Sequence, residues 1–478
     1  MLPKPFSWNP DFAREGRYDG KFIVGVLTTG IYCLPSCKAK PPKPENVRMF
    51  KTEEDAQAAG LRACKRCRPD LFYRGEDVGV ALFDGLAARV RAMPDKFADA
   101  GALAAACGVS LTKLGELMRD HAHLAPVAWL RRERVRAACQ LLHAGEERIA
   151  DIGYGVGFES ESVFHRQFFA TTRVTPGAYR ALKTATVFLV HLPPIWREQE
   201  ILAYHARDAE SACERVDGKR IFKALATPDG PAILEISLEI EDAWCRIHSK
   251  RKLGPETMAM LHGAALRMLG LATDATGFET RAARDRNFAP LAARRRGLRL
   301  PVTPTGFDGL CWAIIGQQVN IAFATALRRE VINLAGEPVE AMRAHPGAER
   351  VADLDVADLA RRRFSRSKAE YLVHAAREVA SDRLPVERLG AGSAVAAERR
   401  LTNIRGIGTW TARYMLMRGA AFADCAPVGD SALATALQRL HRTEERPEVG
   451  AVHEMMRTYS PHRSLATAHL WASLKDAA

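Results

Sequence analysis

Four cysteines near the start of the chain, Cys33 and Cys37 followed by Cys64 and Cys67, constrain it more than any other feature. Two close pairs separated by about twenty-five residues are the way a chain closes a tetrahedral four-thiolate zinc site. Lys38, Lys40, Lys43, Arg62, Lys65, Arg66 and Arg68 crowd the ligands. A thiolate-bound zinc among so many cations suits either a nucleic-acid module or a nucleophilic sulfur, and the cluster alone does not choose between them.

At 478 residues the chain exceeds what one hydrophobic core usually supports, so several domains are expected. A net charge of +13 and a pI near 9.4 favour a polyanionic partner, nucleic acid before a membrane surface. No run approaches the roughly eighteen apolar residues of a membrane span. The opening Met1-Leu2-Pro3-Lys4-Pro5 lacks a signal-peptide core, so a cytoplasmic protein is expected. Ten cysteines in such a compartment argue for thiols and metal rather than disulfides. Cys107, Cys139, Cys213, Cys245, Cys311 and Cys425 lie among apolar neighbours and read as small buried hydrophobes.

The chain divides into four expected units. Residues 1–76 hold the cysteines, a short strand over 21–26 and a helix over 52–59 opened by Thr52. Residues 80–183 read as helices over 80–92, 99–107, 111–120, 126–143, 149–154, 160–169 and 176–182. Within them, Leu103–Ser110 and Ile149–Phe158 have a helix-turn-helix cadence, with glycine at each turn. Residues 184–290 change period. Strands are expected over 187–190, 212–216, 220–226 and 232–240, with Asp217-Gly218 and Asp229-Gly230 as hairpin turns. Helices over 196–206 and 255–269 should cover one face of that sheet. From 291 to 478 the chain is helical again. The fold class is therefore multidomain and mainly α, with α+β parts.

Val26-Leu-Thr-Thr-Gly-Ile-Tyr-Cys33-Leu-Pro-Ser-Cys37, Glu45-Asn46-Val47 and Cys64-Lys-Arg-Cys-Arg-Pro-Asp70 resemble the methyl-phosphotriester acceptor domain of Ada-type proteins. The resemblance implies one Zn2+ on Cys33, Cys37, Cys64 and Cys67, with Cys33 the methyl acceptor. Zinc and neighbouring cations favour the thiolate. Four thiolates on zinc carry a formal charge of about minus two, which keeps the sulfur electron-rich. Methylating one sulfur reduces that charge, so DNA phosphates repel the product less and affinity should rise. No Pro-Cys-His-Arg run occurs, so the O6-alkylguanine acceptor half of Ada proteins is not expected here.

Ile149–Phe158, Ser162–Phe168 and Thr175–Arg180 resemble the AraC-type DNA-binding domain with its double helix-turn-helix. Recognition helices are expected near 111–119 and 160–169, with Lys113, Arg119, His165 and Arg166 as candidate DNA contacts. Such side chains touch phosphates more often than base edges.

Leu401-Thr-Asn-Ile-Arg-Gly406-Ile407-Gly408-Thr-Trp410 reads as a helix-hairpin-helix whose glycines let backbone N–H groups approach a phosphate. With Gly297–Pro301, Phe307–Gln318, Pro427–Asp430 and Arg463–Trp471, it makes residues 184–478 resemble 3-methyladenine DNA glycosylase II, the AlkA type of the HhH-GPD superfamily. The resemblance implies a small α+β N-terminal lobe and a helical glycosylase lobe. It implies Asp430 as the catalytic carboxylate and a monovalent cation at the hairpin turn. Trp410 stands where lyases of the superfamily carry a Schiff-base lysine, so a monofunctional, hydrolytic enzyme is expected. Trp410, Tyr414, Trp471 and Gln318 are the expected pocket residues. Gln318 departs from the apolar wedge that the family often has there, and Gly429 stands where a second acid often precedes the catalytic one.

The expected protein is a DNA-3-methyladenine glycosylase II with a stoichiometric methyltransferase activity at Cys33 and a regulatory DNA-binding domain. Its partners would be double-stranded DNA, alkylated and at promoters, and RNA polymerase; a monomer is expected. Two alternatives stay open: a regulator whose glycosylase part only binds DNA, and a glycosylase whose zinc is a structural anchor.

Overall fold

The computed structural model describes residues 16–477, so Met1–Pro5 and the start of the first expected unit lie outside the described residues. The chain forms two compact units. One runs up to Ala88 and includes Gly101–Leu117; the other takes Arg89–Ala100 and everything from Met118 onward.

In the first unit, strand β1 (Ile23–Val26) pairs antiparallel with β2 (Ile31–Cys33) and with β3 (Val47–Phe50). Strand β4 (Arg62–Ala63) adds in parallel beside β2. Thr52 caps the helix Glu53–Ala58 as its sequence predicts, its hydroxyl accepting from the Asp55 N–H at 3.2 Å. Gly25 is required by packing, since a Cβ there would stand 2.4 Å from the Phe50 ring. Among the described residues, the core beneath this sheet is small, built on Ile23, Tyr32, Phe50, Ala56 and Leu61. So few apolar side chains rarely hold a sheet together without a metal or a cross-link.

In the second unit the helices Pro126–Ala144, Ile149–Gly155, Glu161–Thr172 and Pro176–Ala181 fall within a few residues of their expected bounds. Gly153 lets two of them meet, because a Cβ there would lie 2.7 Å from the Phe164 ring. Their inner residues Ile152, Phe164, Phe168 and Tyr179 belong to one core with Phe188, Ile221, Leu234 and Leu261 of the mixed lobe. That core runs across the expected boundary at 183–184. Polar contacts cross it too: His191 N–H donates to Arg173 C=O at 3.0 Å, and His262 Nε2 donates to Thr172 C=O at 2.9 Å.

The mixed lobe carries a five-stranded antiparallel sheet in the order β5-β9-β8-β7-β6. Its strands are β5 (Val187–His191), β6 (Glu214–Asp217), β7 (Arg220–Leu225), β8 (Ala232–Leu238) and β9 (Asp242–His248). Strand β9 is absent from the sequence expectation. Its inward residues Ala243, Cys245 and Ile247 include two short side chains, and exposed Trp244 stands among the outward ones, so its alternation is faint.

The helical lobe wraps around Gly306–Ile315, every residue of which is buried. Gly309 allows a close crossing, since its Cβ would lie 2.5 Å from the Gly419 Cα. One residue earlier, Asp308 accepts from Arg328 at 2.7 and 2.8 Å and pairs with Lys223 at 3.2 Å. Lys223 also reaches Glu214 at 3.4 Å, and Glu214 meets His205 Nδ1 at 2.5 Å. Lys223, Glu214 and His205 belong to the mixed lobe, while Asp308 and Arg328 belong to the helical one. Burial raises the Asp308 and Glu214 carboxyls, but the cations beside them more than reverse this and hold both below the usual carboxylate range.

Four other buried histidines give the fold a pH dependence. Burial lowers His123, His262 and His345 to about 4 and His469 to about 3. His123 Nδ1 accepts the Asp424 backbone N–H at 3.2 Å, which requires the unprotonated nitrogen. Each folded pKa lies below the unfolded value of roughly 6.5, so the unfolded chain takes up protons first as pH falls. Stability should be full above about pH 6.5 and decline toward pH 4, by up to about 1.4 kcal/mol per pH unit per histidine. Urea denaturation of the whole chain between pH 7.5 and 5 measures this, and His262→Gln should flatten the slope. A stability independent of pH in that window would contradict it.

Candidate functional site

Two sites stand out, one in each compact unit. In the first, the β2–β4 ladder aligns Tyr32 with Ala63, which leaves Cys33 and Cys64 side by side at the strand ends. The Cys64 N–H donates to Tyr32 C=O at 2.9 Å. A turn closed by Cys37 N–H to Leu34 C=O returns Cys37 to the cluster, and Leu34 N–H points at Cys67 Sγ from 3.4 Å. All four ligand atoms lie within 4.8 Å of one another. Four sulfurs this close do not ionise together unaided: Cys37, beside it, and burial push the Cys33 thiol up, while Cys33 and Cys67 lower Cys37 to about 2. A divalent cation resolves that conflict, and four soft sulfurs are a zinc donor set, so the residues fit one Zn2+. Cys33 and Cys64 are buried, whereas Cys37 and Cys67 are half-buried. Lys38, Lys40, Lys43, Arg62, Lys65 and Arg66 are exposed around them, while Arg68 is tied to Asp70 at 2.8 Å.

The second site gathers expected pocket residues from distant parts of the chain. Asp430 caps the helix Ser431–His441, its Oδ1 accepting from Leu433 N–H at 2.7 Å. The same oxygen accepts the Trp471 indole N–H at 3.0 Å. No hydrogen bond engages Oδ2 among the described residues, so one oxygen fixes the carboxylate and the other remains free to act. Gly429, just before it, has φ 99°, a conformation that a second acid would adopt only with strain. Trp410 stacks on Tyr414 with ring centroids 5.3 Å apart, and Tyr414 lies 6.2 Å from Trp471.

Four further residues complete this ring, and the sequence reading did not single them out. Trp312, from the buried helix, donates its indole N–H to the Tyr414 hydroxyl at 2.9 Å. Arg418 lies over Trp471 at 5.5 Å and over Tyr204 at 4.9 Å. Arg207 lies over Tyr204 at 4.1 Å and over Trp312 at 4.5 Å. Burial raises the Tyr204 phenol, but these two guanidiniums outweigh it and hold the group below its ordinary value. Trp312 lies inside the motif Phe307–Gln318, where its indole was a usable signal. Tyr204 and Arg207 come from the mixed lobe, and no local pattern marks them.

Gln318 takes a different place. It is exposed, with φ 54°, on the loop between the helices Gly306–Ile315 and Ile321–Ala335. Its neighbour Gln317 turns inward, donating to Gly406 C=O at 2.8 Å and to the Thr411 hydroxyl at 2.9 Å. Lys368 Nζ donates to the carbonyls of Ile315 and Gln317, both at 2.9 Å. This clip ties the hairpin turn to the loop that follows the helix Gly306–Ile315. Gly406 has φ 88°, and a Cβ there would stand 2.2 Å from the Tyr371 ring. Ile407 is buried beneath the turn, and exposed Gly408 opens the helix Thr409–Arg418 without a side-chain cap. Its first N–H groups are thus left for an anion.

The candidate DNA contacts of the helix-turn-helix region lie on the helices Leu111–His121 and Glu161–Thr172. Arg166 is exposed, and Lys113 is exposed and paired with Glu116 at 2.9 Å. His165 is half-buried, 3.6 Å from Glu161. Arg119 lines a cleft of about 530 Å³ with Glu398, Arg413, Asp424 and Arg463 of the helical lobe.

Residues 7–70 match the metal binding domain of Ada, residues 103–182 a helix-turn-helix domain, and residues 311–461 the HhH-GPD superfamily of base excision DNA repair proteins. The chain is 29% identical to a probable bifunctional transcriptional activator/DNA repair enzyme AlkA of Mycobacterium tuberculosis, over 97% of this chain and 95% of that one. It is also 29% identical to a DNA-3-methyladenine glycosylase of Bacillus subtilis, over 60% of this chain and 97% of that one. Among solved structures, a 3-methyladenine DNA-glycosylase from Archaeoglobus fulgidus superposes with a TM-score of 0.53 at 19% identity, over 60% of this chain and 97% of that one, which establishes the shared fold. The chain is therefore a fusion of an Ada-type metal-binding domain and a helix-turn-helix domain with a base-excision repair domain of the HhH-GPD superfamily.

Proposed function

We propose that this protein excises alkylated bases from DNA by hydrolysis and accepts methyl groups from DNA phosphotriesters on Cys33. The observation that carries the first part is Asp430, with one oxygen fixed by two donors and the other free beside half-buried aromatic rings. A base extruded from the duplex would stack on Trp410, Tyr414 or Trp471, and cation–π attraction adds about 0.5–2 kcal/mol per good contact for a positively charged alkylpurine. The free Asp430 oxygen stabilises positive charge on the sugar as the glycosidic bond breaks and its electron pair leaves with the base. Water adds to the anomeric carbon and passes its proton by way of the free Asp430 oxygen to solvent. Trp410 offers no amine for a Schiff base, which supports a monofunctional reaction.

Bound zinc keeps the four sulfurs deprotonated and electron-rich. Cys33 Sγ attacks the methyl carbon of a phosphotriester. The new S–CH3 bond forms as the methyl–oxygen bond breaks, leaving an ordinary phosphodiester anion. Lys38, Lys40, Lys43, Arg62, Lys65 and Arg66 hold the phosphate backbone near the sulfur. The burial of Cys33 relative to Cys37 makes the identity of the methylated cysteine the decisive measurement. With its negative charge reduced, the methylated unit would hold promoter DNA more tightly. Lys113, His165 and Arg166 would provide contacts from the two recognition helices, and RNA polymerase is the partner that such activation implies. The protein is taken to act in the cytoplasm as a monomer.

Three outcomes are expected. Asp430→Asn should slow release of 3-methyladenine from methylated DNA by roughly 10²–10³-fold, the scale of losing a pre-organised electrostatic group. Release at the wild-type rate would remove Asp430 from the mechanism. Mass spectrometry after exposure to DNA bearing methyl phosphotriesters should find one methyl group, on Cys33. Methylation of Cys37 instead would reassign the acceptor, and none at all would leave the zinc a structural anchor. Chelating the zinc should make residues 16–76 protease-sensitive, because their core is so small, while base release by the other unit continues.

A further inference from the structure

Two buried histidines, His121 and His123, stand where the helix Leu111–His121 turns into the helix Pro126–Ala144, and both reach the helical lobe. His123 has left-handed backbone, φ 55°. Its ring stands edge-on to Phe422 with centroids 5.1 Å apart, and its Nδ1 accepts the Asp424 backbone N–H at 3.2 Å. His121 Nδ1 meets the Ser393 hydroxyl at 2.7 Å, and Ser393 caps the helix Ala394–Thr402 that leads into the hairpin turn. Both histidines lie outside residues 184–478, and no step at Asp430 uses either ring.

Asp424 is where two arms of the Asp430 site begin. Its buried carboxylate accepts Arg463 Nε at 2.8 Å, Arg463 Nη2 at 3.0 Å and the Ser460 hydroxyl at 2.7 Å. From Asp424 the chain runs through residues 425–429 to Asp430. From Arg463 the helix Arg463–Ser473 runs about two turns to Trp471. The arms close where the Trp471 indole N–H meets Asp430 Oδ1 at 3.0 Å. A shift at Asp424 is therefore carried to the closing contact. Arg463 and Ser460 hold the Asp424 carboxylate, but its backbone N–H has the His123 ring as its one partner among the described residues. A buried N–H left without an acceptor is costly, so the segment would move to find another.

We propose that His123 is a positioning residue for the Asp430 site, fixing the backbone at Asp424 and, through residues 425–429, the place where Asp430 meets Trp471. This rests on the glycosylase reading above and adds to that site a residue of the helix-turn-helix region. Nδ1 accepts only when the ring is neutral with its proton on Nε2. Burial lowers His123 to about 4, so the ring is neutral near pH 7. Catalysis is sensitive to small displacements, since about 1 Å can cost roughly 10²-fold in rate.

Single-turnover release of 3-methyladenine from methylated DNA at neutral pH, with the whole protein in excess, tests this. His123→Leu, which removes the acceptor and keeps bulk, should lower the rate by about 10-fold or more while DNA affinity stays within about 2-fold. His123→Asn, whose side-chain oxygen takes the place of Nδ1, should stay within about 3-fold of the wild-type rate. His123→Gln, whose oxygen lies farther along the side chain, should be as slow as the leucine variant, and it stands in if that variant does not fold. A merely structural role would lower the unfolding temperature and leave the rate of the folded variants unchanged. Hydrogen exchange is a second readout that needs no base release. Peptides covering residues 424–433, which include the Asp424 and Leu433 N–H groups, should exchange about 10-fold or more faster in the leucine or glutamine variant, with β7 and β8 unaffected. A wild-type rate or wild-type protection in either folded variant, or an asparagine variant as slow as leucine, would overturn the proposal. If the glycosylase reading fails, the wild type itself releases no base, and exchange over residues 424–433 still decides the role of His123.

Discussion

The ring around Asp430 rests against a buried ionic cluster, which it meets where Arg328 lies over Trp312 at 5.9 Å. Asp308, Arg328, Lys223 and Glu214 are all buried, and their formal charges balance. The desolvation cost of burying such groups is several kcal/mol each, recovered only by close, well-oriented partners. Asp308 has them in Arg328 at 2.7 and 2.8 Å and in Lys223 at 3.2 Å. Because the cluster takes members from both lobes, it has one satisfactory arrangement, and that arrangement fixes the mixed lobe against the helical one. Tyr204 and Arg207 come from the first lobe and Trp312, Tyr414 and Trp471 from the second. Any slip between them would open the ring around Asp430.

The two sites solve opposite electrostatic problems. The thiolate cluster concentrates negative charge and surrounds it with exposed lysines and arginines, which offset that charge at the surface. The Asp430 site gathers aromatic faces and guanidiniums around a single carboxylate. Continuous packing between the helices Pro126–Ala181 and the mixed lobe adds a further coupling. The second helix-turn-helix unit and the mixed lobe share one core, so packing is continuous across residues 183–184.

Much of this was legible in the chain itself, because the relevant signals are local. Cys33, Cys37, Cys64 and Cys67 announce a metal by spacing alone. Thr52 announces a helix start and caps it as expected, and Asp430 caps the helix Ser431–His441. Gly406 and Gly408 announce a tight turn, and the clash that a Cβ at 406 would make with Tyr371 explains the first of them. Strand β9 was not legible, since two of its inward side chains are short and Trp244 stands on its outward face. Gln318 was placed in the pocket by its position in a motif, yet the left-handed backbone at 318 leaves it exposed and turns Gln317 inward instead.

What the sequence determined by itself is chemistry carried by neighbours along the chain: four sulfurs for zinc, glycine-lined turns for phosphate, an acid opening a helix. What only the tertiary structure decided is which distant groups share a site. The Trp471 indole reaches Asp430 across forty-one positions, and Arg207 reaches Trp312 from another lobe. The physical reason is that such contacts follow from how helices and sheet pack around buried charges, and packing is a property of the whole fold rather than of any segment within it.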